Sequence, residues 1–510
     1  MAYSRPGVYI TERLLPASIT QGSTSVTAGA IAAPFAQGPE EVTYVTSWYE
    51  FTKYFGGYDA LYPATFGVGQ FFANGGRELY VKRVLHSNAV AASVELIAAE
   101  DADAQIKATA KSRGIAGNNL RVGITAGSDA DHITLTVYQE VGGNSATTSD
   151  DVILERYENL LFDDPTSSDY AATVVNLISS YITITDAKAD AGILPDTGVL
   201  PLASGSNGGA VTHTDYIDYA GVTGNSVWKS FETVDRPLLM FVPNISLIVG
   251  AHETAVYNDA ISWAEVNGGF VIAETPAENT VANAVSFASS LTDSTYAAVY
   301  YPHVYASDPV GRSRNSLRLV GPSGAVAGVF LATDVARGVH KAPAGLNAAV
   351  SGVVAMEKAF SSSELDTLNT GGSGGKPVNP IRQVPGAGMV IMGARTLAQN
   401  PPASKFVNTR RSLIYLNKQL RSLTEFAIFE NNDEFLWSRI RATLTVFLNE
   451  FRNQGGLRGD TQESAFYVKC DSENNTSLSI QNGEVHIQVG VALQYPAEFI
   501  VIDLNQMTLN

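Results

Sequence analysis

The chain has 510 residues and a formal net charge of −17, with 33 basic against 50 acidic side chains. That balance argues against a nucleic-acid partner, because phosphate-backbone binding rests on cationic patches that release counterions. The single cysteine, Cys470, excludes an intrachain disulfide and a cysteine-rich metal site, and no apolar run of about 18 residues offers a membrane span.

The length fits about three domains of ordinary size. The start, MAYSRPGVYI, lacks the continuous apolar segment of a secretory leader, so the chain is expected to be soluble and unsecreted. Residues 1–29 are expected to form an arm: Val8 and Ile10 alternate with their neighbours in a short strand, and Ser18–Gly29 is a polar connector. Residues 30–88 alternate apolar strands with turns and a helix, which Gly75 and Gly76 end before the next strand; this part belongs to an α/β body.

Residues 89–205 change character, with six basic and 17 acidic residues, a balance of −11. Strand patterns dominate, as in HITLTVYQE, where Ile133, Leu135 and Val137 share a face, so an acidic β-sandwich insertion is expected. Residues 206–397 return to alternating strands and helices. RPLLMFVPN (Arg236–Asn244) and GGFVIAETP (Gly268–Pro276) are nearly continuous apolar runs, as strands buried on both faces of a layered α/β domain require.

Within that domain, Gly321–Leu346 has the small-residue setting of an active-site loop. Ser323 lies between Pro322 and Gly324, but a nucleophile elbow needs Gly two residues after the serine and position 325 is Ala. His340 and Asp334 would complete a triad only if the fold brought them to Ser323. The structural alternative is that Gly and Ala allow close backbone packing while Asp334 begins a turn or caps a helix. GGSGGKP (Gly371–Pro377) fails as a phosphate loop, with Thr370 where the first Gly belongs and Pro377 where Ser or Thr should follow Lys376. The seven histidines form no ligand pair at helical spacing, and the adjacent Asp163 and Asp164 diverge. No catalytic residue, metal site or cofactor site is therefore expected.

Residues 398–494 are expected to be α+β. Leu413, Leu416, Leu420 and Leu423 make one helical stripe, and Leu436, Ile440, Leu444, Phe447 and Phe451 a second, with Asn432 as its cap and Gly455 closing it. Between Lys405 and Asp460 nine basic residues meet six acidic ones, a local balance of +3 that suggests an interface on an acidic chain. Val485, Ile487, Val489, Val491 and Leu493 alternate strictly, predicting a strand over Glu484–Leu493, and Glu498–Leu504 follows Pro496 as another within a C-terminal arm, residues 495–510.

Six blocks, Arg5–Glu12, Phe71–Val84, Tyr301–Arg312, Gly321–Leu346, Asn379–Leu397 and Arg410–Gly459, resemble in order the contractile phage tail sheath family. The chain departs from that pattern at His340, where the family usually has Trp, and at Met392, often an aromatic. The resemblance implies a subtilisin-like layered domain without protease chemistry, with the insertion at the outer surface. It implies a non-enzymatic subunit that polymerises helically around an inner tail tube protein and contracts to drive the tube through a cell envelope, in a virion tail or tailocin particle assembled in the host bacterial cytoplasm. The implied partners are other copies of itself, the tube, and baseplate and tail terminator proteins, with no nucleic acid, membrane insertion or cofactor. Intersubunit strand contacts are expected at Val8, Tyr9, Ile10 and Glu12, at Val485, Ile487, Val489 and Val491, and at Phe499, Ile500 and Val501. The alternative is a subtilisin-like serine hydrolase using Ser323 and His340.

Overall fold

The structure is a computed structural model and describes residues 27–98, 101–128, 131–141, 151–162, 164–186, 194–277, 280–311, 313, 315–372, 374–398 and 405–498. Its largest sheet has eight strands: β1 (Ala28–Ala33), β2 (Thr43–Val45), β3 (Leu79–Arg83), β4 (Leu238–Phe241), β5 (Phe270–Glu274), β6 (Ala297–Tyr301), β7 (Asn379–Val384) and β8 (Gly388–Ile391). Their order across the sheet is β8-β7-β6-β5-β4-β1-β3-β2. The central neighbours run parallel, while β2 and β8 close the two edges antiparallel. Every residue of β1, β4, β5 and β6 is buried, which explains why the sequence there is apolar without alternation.

Helices α1 (Ala64–Ala73) and α2 (Ser323–Arg337) pack on each other at backbone distance. A Cβ at Gly324 would stand 2.2 Å from the Gly67 carbonyl oxygen, and one at Gly328 would stand 2.4 Å from that of Phe71. The small residues of Gly321–Leu346 are thus needed for helix packing.

Residues leaving β3 lead into two further sheets. Strands Ala91–Ala98, Asp101–Arg113 and Ile182–Asp186 form one, and Gly198–Pro201, Leu120–Ala126, Ile133–Gln139 and Val152–Leu160 the other. Leu96, Ile106, Val122, Leu135, Val137 and Ile184 share one core separate from that of the large sheet. Thr134 and Thr136 are buried as well, so the central strand is covered on both faces rather than one.

Two long helices, α3 (Val407–Thr424) and α4 (Glu434–Asn453), carry a two-stranded antiparallel sheet, β9 (Phe466–Lys469) and β10 (Gln488–Val491). Leu436, Ile440, Leu444 and Phe451 are buried along α4, with Phe447 partly covered. The cap of α4 is Asp433, whose carboxylate accepts the Leu436 N–H at 2.9 Å. Asn432, the cap expected from sequence, instead accepts the Trp437 indole N–H and donates to the Glu484 carbonyl, both at 2.9 Å. The strand β10 is shorter than the alternation predicts, because Asn474 and Asn475 take the backbone groups of His486. Among the described residues, no helix is long and apolar enough to cross a membrane.

Candidate functional site

Ser323 is fully buried at the first position of α2, and its Oγ has no hydrogen-bond partner among the described residues. Its N–H donates to the Glu274 carboxylate at 3.0 Å, which also accepts the Asn244 N–H at 2.5 Å. A chain carboxylate thus occupies the amide end of α2, where a helix would otherwise favour an external anion. A Cβ at Gly321 would come within 2.1 Å of Glu274 Oε1, so glycine is required there.

His340 lies past the other end of the same helix. Fifteen residues at a helical rise of about 1.5 Å each put roughly 21 Å between the helix ends, so Ser323 and His340 do not meet. The His340 ring packs edge-on to Phe451 at 5.8 Å, and burial, with Lys341 beside it, holds its imidazole below its ordinary pKa. Asp334 neither starts a turn nor caps a helix. It pairs with Arg411 of α3 at 2.9 Å, and burial raises its carboxyl pKa against the opposing pull of that guanidinium. Arg411 also lies 5.0 Å over the Phe330 ring, so the pair joins the α/β body to the C-terminal helices. Lys376 donates to the Leu291 carbonyl. No cluster of three or more His, Cys, Asp or Glu suited to a metal occurs among the described residues.

The β9–β10 sheet offers a different kind of site. Ala492 N–H donates to the Ala465 carbonyl at 2.8 Å, in register with the pairing of Phe466 to Val491. By antiparallel alternation, Gln488 and Gly490 then bond to β9, and the amides of Val489 and Val491 point to the opposite edge. That edge has no partner strand among the described residues. Val489 and Val491 also line a groove of about 870 Å³ between α3 and the body, whose walls mix apolar Trp263, Leu413 and Ile487 with charged Glu265, Lys418 and Arg421.

Four of the expected contact residues are therefore brought together. Val485, Ile487 and Val489 pack on Leu436, Ile440 and Leu444, and Val489 and Val491 on Leu448 and Phe451. Val8, Tyr9, Ile10, Glu12, Phe499, Ile500 and Val501 lie outside the described residues. Sequence reasoning missed the connector that leaves β10: Arg395 forms an ion pair with Glu498, a contact 103 residues apart that no local pattern signals.

Comparison with known proteins places these features in a family. Residues 209–397 match the phage tail sheath protein central domain, and residues 399–506 match the phage tail sheath C-terminal domain, together well over half the chain. The chain belongs to the phage tail sheath family. Among curated sheath proteins, that of Vibrio phage KVP40 is 28% identical over 210 residues, 41% of this chain and 29% of the relative. That of Enterobacteria phage T4 is 27% identical over 274 residues, 54% of this chain and 36% of the relative. The chain thus spans about a third of the length of the curated sheath proteins it matches. In fold it resembles a sheath tail protein from Listeria innocua, with a TM-score of 0.60 at 14% identity over 93% of this chain and 96% of the other. It also resembles the contracted helical sheath of the anti-feeding prophage, at 0.57 and 20% over 99% and 100%.

Proposed function

We propose that this chain is the structural subunit of a contractile tail sheath, polymerising helically around an inner tail tube and contracting to drive it through the target cell envelope. The observation that carries this reading is the open edge of β10, whose Val489 and Val491 also line a groove of mixed apolar and charged character. A two-stranded sheet is marginal alone, and an added strand satisfies its amides while covering the groove.

The arms supply the strands. Val8–Ile10 with Glu12, and Phe499–Val501, have the pattern for addition beside Val489 and Val491, so that neighbours stay joined by main-chain hydrogen bonds while their bodies rearrange. The partners are further copies, the tube protein, the baseplate and the tail terminator, in a tail or tailocin particle assembled in the host cytoplasm. No nucleic acid, membrane insertion, cofactor or catalysis is involved.

The domain reading follows the sequence, apart from the arm of 1–29, whose Ala28 and Gly29 belong to β1: first body segment 30–88, insertion 89–205 at the outer surface, subtilisin-like domain 206–397, C-terminal unit 398–494 and arm 495–510. The parallel strands flanking β1 support the subtilisin-like part, and the distance between Ser323 and His340 speaks against its protease chemistry. The test is removal of residues 1–12, followed by circular dichroism, sedimentation and electron microscopy. A folded monomer that forms no tubes is the expected result; an unfolded monomer, or tubes at normal yield, refutes the reading.

A further inference from the structure

Between β10 and the C-terminal arm the chain is fastened at nearly every step. Ala492 bonds to Ala465 and accepts the Arg458 N–H at 2.7 Å, Leu493 bridges Leu457, and the Gln494 side chain donates to the Leu457 carbonyl at 3.0 Å. Asn408 Nδ2 then donates to the Gln494 carbonyl at 3.2 Å, and Tyr495 packs against Phe406 with ring centroids 6.2 Å apart. Last, Arg395 Nε donates to both Glu498 oxygens, at 2.9 and 3.2 Å, and Nη2 adds a third bond in a fork geometry that fixes direction as well as distance. Arg395 is itself held by the body: its N–H donates to Asn379 Oδ1 at 2.7 Å at the start of β7, and Nη1 donates to the Asn369 carbonyl at 2.8 Å. Asn408 also donates to the His340 carbonyl at 2.9 Å.

We propose that Arg395 is a positioning residue that makes the C-terminal arm pair with a neighbour's sheet instead of its own. This rests on the reading of the arms as intersubunit strands. A strand-forming segment that follows β10 so closely would by default turn back as a hairpin on the open edge of β10, because short loops close at the lowest entropic cost. An intramolecular partner also acts at an effective concentration of about millimolar, which a free neighbour in dilute solution does not match. The clamp removes that option. Glu498 is the first residue of EFIVIDL, and Arg395 fastens it to the body beside the start of β7 instead of leaving it free next to β10. Phe499–Val501 follow directly on that anchored residue, without the free linker that a hairpin back onto β10 needs.

The test uses full-length subunits carrying Glu498→Gln, Arg395→Glu, Glu498→Arg, or the last two together. With the clamp broken, the arm closes on its own sheet. Amide exchange at Val489 and Val491 in the monomer should slow, and tube yield by negative-stain microscopy should fall, each by about tenfold, with circular dichroism unchanged. The double exchange restores both. Glu498→Gln keeps the side chain's size and decides the matter if a charge reversal folds poorly. Unchanged exchange and unchanged yield in Glu498→Gln overturn the proposal, as does a double exchange that recovers neither. Deletion of residues 499–510 separates the two levels. Tubes at normal yield after deletion sink the donated-strand reading itself, whereas lost tubes after deletion with normal tubes in Glu498→Gln sink the clamp alone.

Discussion

Strand Val152–Leu160 of the four-stranded sheet and β10 are both edges among the described residues, yet they are finished in opposite ways. Val152–Leu160 carries Glu155, Arg156 and Glu158, and the last two form an exposed pair at 3.0 Å. Charges along an edge make pairing with a second strand costly. The opposite edge of that sheet, Gly198–Pro201, is four residues long and ends in proline, and β2 of the large sheet has three residues. In contrast β10 reads Gln-Val-Gly-Val, with no charge. Gly490 lies under Tyr467, where a Cβ would approach ring carbon Cε1 to 2.1 Å, which keeps this strand flat against its partner. Val152–Leu160, Gly198–Pro201 and β2 are thus blunted by charge, proline or shortness. The edge of β10 is not blunted in these ways, and its valines line the groove.

The largest expected effect tests whether the insertion is as self-contained as its separate core suggests. Buried Arg121 holds Glu140 at 2.9 Å and Asp151 at 3.0 Å. Arg121→Met leaves two carboxylates without their cation, a loss of about 3–5 kcal/mol for a buried pair. We expect an early calorimetric transition confined to the insertion, with tubes still forming. Loss of tubes would show that the insertion and the C-terminal unit are coupled.

Two smaller changes exchange the character of the edges. Arg156→Val with Glu158→Val strips the guard from exposed positions, so concentration-dependent association should appear in light scattering while melting moves by less than about 0.5 kcal/mol equivalent. Gln488→Lys does the reverse. It sets a charge on an exposed residue of β10 and should lower tube yield several-fold, with the monomer's melting unchanged. No association in the first case, or equal yield in the second, breaks the contrast between guarded and open edges.

What was legible in the sequence was whatever depends on one element alone. The apolar runs at β4 and β5 and the stripe of Leu436, Ile440, Leu444 and Phe451 show because burial imposes a period on the residues themselves. Features made by two distant segments did not show. The glycines of α2 make sense only once α1 lies against them, and Glu274 fills the end of α2 from another strand. Asn432 and Asp433 are equally suited to cap α4, and the choice falls to Asp433 because Asn432 is engaged by Trp437 and Glu484. The alternation of Val485 to Leu493 correctly marks the face that meets α4, but it overestimates the strand, since Asn474 and Asn475 lie in a loop whose position no period encodes. Arg395 was visible only as part of a motif, not as the partner of Glu498.

The smallest effect concerns β2, a guarded edge that should respond to pH where β10 does not. Tyr44 donates its hydroxyl to Glu78 Oε1 at 2.8 Å, and Arg236 Nη1 donates to the same oxygen at 3.0 Å. Burial alone would push the Glu78 carboxyl up, but the bonds from Arg236 and Tyr44 outweigh it and hold the group below its ordinary value. The Tyr44 hydroxyl is pushed up to about 12 by burial and by the neighbouring carboxylate. A carboxyl lowered in the folded state contributes its full stability above its unfolded pKa, about 4.3, and loses it as the pH falls through the folded value. Acidification from about pH 5 to pH 3 should therefore loosen Thr43–Val45 first, by less than about 1 kcal/mol for so accessible a pair. Carbon-detected titration of Glu78 with the β2 amide shifts reads this directly, and Glu78→Gln should abolish the dependence. The amides of Val489 and Val491, on a strand without a titratable side chain, serve as the internal control. If they move with those of β2, the loosening is global, and the local account of this edge is wrong.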